Sequence, residues 1–321
     1  MTIKIGVKVA GFFEMAVVKA DGTKKVVAER QPNVILNRWL DIWPGNFWGG
    51  GNGTAWPFEY ASVGTSGVAV DVTQTELLGF VATCTRSTQS NPMGSSYSGV
   101  EPYWAENWKR YTFPIGSFSG EALAEVGLGH VGDMYTRALI KDGAGNPITI
   151  TILSDEQLEL TYYFRVYPPV GDTVTVHNGI TCTTRAYDAN STKWCYGNYF
   201  DSNGGQAEQM NLQVRNFYSA MTLSDYGGNH GGSGTTGTLG AQTYSRAGDN
   251  RSLTVNISLT TAQGNGTWQG LTWGSYGTTT GSPGTTKPAV GTHFQTLFSP
   301  AVTKTSLDTM QLGITVHWDR Y

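Results

Sequence analysis

The sequence is poor in charge, cysteine and long apolar runs. Charged residues make up 14% of the 321 residues, and the net charge is −3. A typical soluble domain carries about 25%. No dense Lys/Arg stripe is present, which argues against a nucleic-acid partner, because phosphate neutralisation needs clustered cations. The three cysteines, Cys84, Cys182 and Cys195, make neither a disulfide framework nor a metal-knuckle spacing. Only Cys182 and Cys195 are placed to pair; reduced thiols are the simpler reading. No run of about 18 apolar residues exists, so no membrane insertion is expected. The opening MTIKIGVKVAGFFEMAVV alternates instead of forming an apolar block, so it reads as strand and not as a signal peptide. Without such a signal, the Asn-x-Ser/Thr triplets at Asn52, Asn190, Asn250, Asn256 and Asn265 read as by-products of composition.

What is plentiful is glycine (42 residues) and aromatic side chains: 16 Tyr, 12 Phe and 10 Trp. That is the composition of many short strands joined by Gly-rich and Asn-rich turns. ADGTKK at 20–25 and KDGAGNP at 141–147 are turn signals between apolar runs. One stretch changes period. In QPNVILNRWLDIW (31–43), Ile35 and Trp39, and Leu36, Leu40 and Trp43, recur at helical spacing. This predicts a short helix near 33–43, with Asn33 as its N-cap and Pro44-Gly45 as its stop.

A pattern occurs twice. In EQLELTYYFRVY (156–167) and DTMQLGITVHWDRY (308–321), Leu158, Leu160, Tyr162, Phe164 and Val166 fall on Met310, Leu312, Ile314, Val316 and Trp318. Upstream of each lies TRALI (136–140) or FQTLFSP (294–300), and before these ALAEVGLG (122–129) or TWQGLTWG (267–274). Matched segments in one order suggest duplication. The predicted fold is therefore all-β: two similar antiparallel β-sandwich units, one short N-terminal helix and long Gly/Asn-rich loops. The units are placed at 1–169 and 170–321, the latter with an irregular, loop-rich part at 185–241.

A search for chemistry finds no catalytic and no metal-binding residues, and no cofactor is expected. No two of the five histidines lie three to five apart. Ser154-Asp155-Glu156 reads as a charged strand entrance, and DSNGG at 201–205 lacks the later glutamate of a calcium loop. The remaining signal is aromatic. Trp48, Trp56, Trp104, Trp194, Tyr196 and Tyr199 sit in or beside Gly/Asn-rich loops. Such rings anchor protein interfaces, or stack on the apolar face of a sugar. Burial against neighbours in an oligomer is the simpler of the two.

QPNVILNRWLDIW followed by YASVGTSGVAVDVTQTELLG resembles a pattern in structural proteins of tailed bacteriophages, a "pNlItn-GLd" helix and then a "vGtG…p…t.L" segment. The likeness continues through GEALAEVGLGH, YTRALIKDGAGNPITITILSDEQLELTYYFRVYPP and HFQTLFSPAVTKTSLDTMQLGITVHWDR. It spans most of 15–169 and about the last 30 residues. Arg38-Trp39 departs from it, standing where the pattern has a small residue and Gly. The resemblance implies a non-enzymatic virion structural protein, tail-associated at a baseplate, tail tip, collar or fibre attachment. It would be assembled in the host cytoplasm and would act by oligomeric assembly with itself and other virion proteins. The alternatives are a receptor- or glycan-binding module of the tail, which would contact a host surface glycan, and a capsid decoration protein.

Overall fold

The computed structural model describes residues 1–41, 58–85, 93–98, 100–130, 133–186, 211–223, 231–235, 241–246, 251–278, 288–290 and 294–321. These form a nearly all-β protein of antiparallel sheets. In chain order the first strands are β1 (Thr2–Val18), β2 (Lys24–Ile35), β3 (Tyr60–Gly64), β4 (Phe80–Thr85), β5 (Met93–Ser98), β6 (Trp104–Phe113) and β7 (Ala122–Leu123). Next come β8 (Glu125–His130), β9 (Asp133–Leu139), β10 (Ile150–Thr151), β11 (Gln157–Tyr167), β12 (Asp172–His177), β13 (Ile180–Ala186) and β14 (Asn211–Thr222). The chain finishes with β15 (Gly231–Thr235), β16 (Ala241–Arg246), β17 (Ser252–Leu259), β18 (Gly266–Thr278), β19 (Pro288–Val290), β20 (Phe294–Lys304) and β21 (Met310–Arg320).

β1 organises the molecule. Its alternation buries Ile3, Ile5, Val7 and Val9, then Phe13, Met15 and Val17. Residues 8–18 pair antiparallel with β11, and residues 11–18 pair with β2. Residues 2–9 pair with β21 in parallel. β11 and β21 both pair with Lys8 and Val9, so they lie on opposite edges of β1, and β21 and β2 share one edge end to end. The two runs that look alike in sequence thus flank one strand. At their meeting point Tyr167 and Tyr321 stack with ring centroids 3.9 Å apart. Trp318 is fully buried, as the alternation predicts, and its Nε1–H donates to the Leu40 carbonyl at 2.8 Å.

Two other sheet paths share a topology. One runs β2-β9-β8-β3-β4, the other β13-β20-β18-β14-β15. Their registers match at the sequence alignment given above. Val126↔Ala138, Gly127↔Arg137 and Leu128↔Thr136 in the first correspond to Leu271↔Thr296, Thr272↔Gln295 and Trp273↔Phe294 in the second. Likewise Leu158↔Phe113 and Leu160↔Tyr111 correspond to Met310↔Leu259 and Leu312↔Ile257. Buried side chains from both halves form one continuous apolar cluster.

The helix differs from its predicted extent. Asn33, Val34 and Ile35 end β2, where Val34 pairs with Arg137 and Ile35 with Thr136. Helix begins at residue 37 and is described to 41. The Val-Ile pair is β-branched and finds ladder partners on β9, which outweighs its place in a helical period. Asn33 is therefore a strand residue and not a cap. The predicted inward face is present all the same: Leu36, Trp39 and Leu40 are buried. Trp39 stacks on Phe58 at 6.0 Å and meets Phe164 edge-on at 5.1 Å. Asn37 Oδ1 accepts from both Arg251 and Arg320, fixing the helix start to β21.

Candidate functional site

Of the six predicted aromatics, Trp48, Trp56, Trp194, Tyr196 and Tyr199 lie outside the described residues. Trp104 opens β6. Strand alternation turns Trp104 and Glu106 away from the core that Tyr111 and Phe113 enter, and does the same for Tyr163 and Arg165 on β11, Phe12 on β1 and Arg30 on β2. These side chains interleave. The Arg165 guanidinium lies 3.9 Å from the Trp104 ring centroid and 4.8 Å from that of Phe12. Arg30 lies 5.0 Å from Phe12 and 3.9 Å from Tyr163. Beneath them Glu106, its side chain 2% exposed, accepts from Arg165 Nε and from both terminal nitrogens of Arg30. Ser96 Oγ donates to the same carboxylate at 3.2 Å. Two guanidiniums share one carboxylate, so the Arg30–Glu106–Arg165 cluster carries one net positive charge. Rings hold the guanidinium planes on either side, and each such contact is worth about 0.5–2 kcal/mol.

A second constellation was not legible as a site. Glu125 on β8 and Arg137 on β9 form an ion pair at 2.7 Å with both side chains fully buried. Arg137 also donates to the carbonyls of Val68 and Ala69 and to Gln74 Oε1. Glu125 accepts from the backbone N–H groups of Gly79 (2.6 Å) and Leu78 (3.4 Å). The pair therefore fastens both ends of loop 65–79 onto the sheet. Two glycines make the approach possible. A Cβ on Gly64 would lie 2.6 Å from the Gly79 carbonyl oxygen, and one on Gly79 would lie 2.7 Å from the Ser66 nitrogen. These are the glycines of the VGT and LLG segments that carry the sequence resemblance.

The fastened loop walls an open cleft of about 430 Å³ over β3, β4 and β8. Tyr60, Leu77, Phe80 and Met134 supply its apolar surface. Phe80 is 60% exposed at the lip. Asp133, at one rim, is held by Arg38 through two hydrogen bonds of 2.8 and 2.9 Å. His130, paired with Asp133 across the β8–β9 hairpin, lies 2.8 Å from Glu59. Beside the cleft, burial and then the Asp133 charge push the Tyr135 hydroxyl up to about 12.

The remaining candidates fall as follows. Asp155 is exposed at the entrance of β11, and Glu159 pairs with Lys24 at 2.7 Å and Arg110 at 3.6 Å. His317 is exposed on β21, while His177 Nε2 contacts the Thr2 backbone. His230 and the DSNGG segment lie outside the described residues. Cys84 and Cys182 are buried thiols, Cys84 donating to the Thr112 carbonyl at 3.0 Å, and burial raises both above their ordinary value. Cys195 is outside the described residues. Among the described residues no three His, Cys, Asp or Glu side chains are grouped to hold a metal. No helix of the described residues is long and apolar enough to cross a membrane. No protein-family model, curated protein or solved structure matches the chain.

Proposed function

We propose that the chain is a non-enzymatic structural protein of a tailed-bacteriophage virion, positioned in the tail, that works by docking to further copies of itself and to neighbouring particle proteins. The observation that carries this reading is the Trp104–Arg165–Phe12–Arg30–Tyr163 face. Interface hot spots are enriched in Trp, Tyr and Arg, and Arg held between rings loses little further entropy on docking. Glu106 beneath fixes both guanidiniums, so the face is ordered before a partner arrives. The tail assignment rests on the sequence resemblance. Some of the segments that carry it, the end of β2, the helix start, loop 65–79, β8 and β9, come together around one locus.

The same reading includes an internal duplication into two similar β-sandwich units. It is supported by the matching strand order and by the shared registers of β8/β9 with β18/β20 and of β6/β11 with β17/β21.

Two measurements test the proposal. Sedimentation of purified protein is expected to show a homo-oligomer. Trp104→Ala should weaken it by about 2 kcal/mol, roughly thirtyfold in dissociation constant, with unchanged circular dichroism. Unchanged association would remove this face as the interface. Gold-labelled antibody on purified particles should decorate the tail; label over the head would mean decoration, and absence of label would end the virion reading.

A further inference from the structure

The cleft over β3, β4 and β8 has the chemistry of a small-molecule site, and it is separate from the Trp104 face. Its volume of about 430 Å³ lies in the range of ligand pockets. Its shape is set in advance: the Glu125–Arg137 pair holds the loop that carries Thr75, Glu76 and Leu77, and the β3–β8 ladder holds Tyr60. Two rings, Tyr60 and Phe80, and two flexible apolar side chains, Leu77 and Met134, give surfaces for an apolar face. Polar groups form the smaller part of the lining; beside the His130 imidazole they are mostly acceptors. Ser62 Oγ donates to Thr83 Oγ1 at 3.1 Å, and Thr83 donates to the Ala61 carbonyl at 3.2 Å. Both hydroxyl protons are thereby used and the oxygen lone pairs remain. Asp133 has its charge balanced by Arg38. Glu76 is exposed, and its carboxylate leaves the lining with a negative balance.

A mostly apolar, partly aromatic cleft with a few acceptors and a slightly negative lining selects against anions. It suits a molecule with one apolar face and a few hydrogen-bond donors at its edge. We infer that this cleft binds a neutral saccharide, of the hexopyranose class. The ring's C–H face would lie on Tyr60 or Phe80, and its hydroxyls would donate to Glu76, Asp133 and the Ser62–Thr83 pair. The cleft is open, which sets the expected affinity for one ring in the millimolar range. The inference does not rest on the virion role. Gold labelling decides that role, and the experiment below decides this site.

The test is saturation-transfer NMR on the full chain with the methyl glycosides of glucose, mannose and galactose, each at about 10 mM, beside methyl glucuronide as the anionic probe. Transfer to the ring C–H protons of at least one neutral glycoside is expected, with the glucuronide weaker. Phe80→Ala should weaken binding about tenfold or more. Glu76→Ala should narrow the preference for neutral over anionic probe. Phe80 and Glu76 are both exposed, so neither change threatens the fold. No transfer to any neutral glycoside overturns the inference. So does transfer that Phe80→Ala leaves unchanged, or a glucuronide that binds more tightly. Self-association abolished by Phe80→Ala, with no sugar response, would assign the cleft to a second copy of this chain and would also overturn it.

Discussion

The sheet path β2-β9-β8-β3-β4 and the path β13-β20-β18-β14-β15 have one strand order, and β8/β9 and β18/β20 share a register, yet their centres differ. In the first, Glu125 and Arg137 bury opposite charges. In the second, the matching positions are Gly270 and Gln295, and the centre is neutral: Trp273 Nε1 donates to Thr296 Oγ1 at 2.9 Å, and Thr296 also meets Thr184 Oγ1 at 2.9 Å. Strand order and register follow from backbone pairing and from the apolar alternation, which both paths share. The centre follows from what each path must hold. The first clamps a 15-residue loop, 65–79, whose backbone groups need partners, and a buried guanidinium with its fork of donors can serve several carbonyls at once. In the second, a close contact replaces the carboxylate: a Cβ at Gly270 would lie 2.6 Å from the Thr296 carbonyl oxygen. A charge pair here is a fastening device more than a source of stability, since buried pairs often contribute little net.

That comparison can be broken at its charged end first. Arg137→Leu leaves Glu125 buried without its cation and should destabilise by about 3–5 kcal/mol, read as a lowered Tm and denaturant midpoint. The double change Glu125→Leu with Arg137→Leu should recover much of this loss while loop 65–79 exchanges its amide hydrogens faster. If the double variant protects Gly79 as well as the wild type does, the clamp is not electrostatic. The neutral centre should be less sensitive. Thr296→Val orphans the Trp273 N–H and should cost about 1–3 kcal/mol, with loop 65–79 unaffected.

The smallest effects lie in pH, and they separate the two paths. Tyr135, beside the cleft of the first, has its hydroxyl pushed up to about 12. Its folded value exceeds the unfolded value of about 10, so its contribution is whole below pH ~10 and is lost as pH rises toward ~12. Tyr135→Phe should flatten that alkaline limb. Asp172, on β12 beside the second, is held below the ordinary aspartate value by the Arg185 hydrogen bond. Its contribution is whole above pH ~4 and is lost as pH falls through the folded value. The pair is partly exposed, so Asp172→Asn should cost under about 1 kcal/mol at pH 7 and flatten only the acid limb of the stability profile.

How much of this was legible in the sequence varies by element. Period-two runs such as Leu158–Val166 and Met310–Trp318 announced their strands and their buried faces, because alternation is a local property of the chain. The matched segments at 122–129 and 136–140, and at 267–274 and 294–300, were legible as strands, but their pairing and common register came only with the structure. The helix near 33–43 was visible as a period but misplaced at its start, because the β9 ladder that claims Val34 and Ile35 comes from residues a hundred positions away. Trp104 was singled out as an aromatic. Its partners Arg165, Arg30 and Phe12 were not, because they sit on separate strands and meet only across the sheet face. Glu125 and Arg137 carried no signal at all, since a lone Glu and a lone Arg in a strand read as solvent-facing.

By itself the sequence determined composition-level class, strand positions, inward faces and the absence of a familiar catalytic spacing. These depend on neighbours within a few residues. Only the tertiary structure decided that β1 is shared between β11 and β21, that a buried ion pair clamps loop 65–79, and that this loop closes one wall of a cleft. Those features are contacts between segments far apart in the chain. Their energies come from desolvation and from geometry, and neither exists until the sheets have formed.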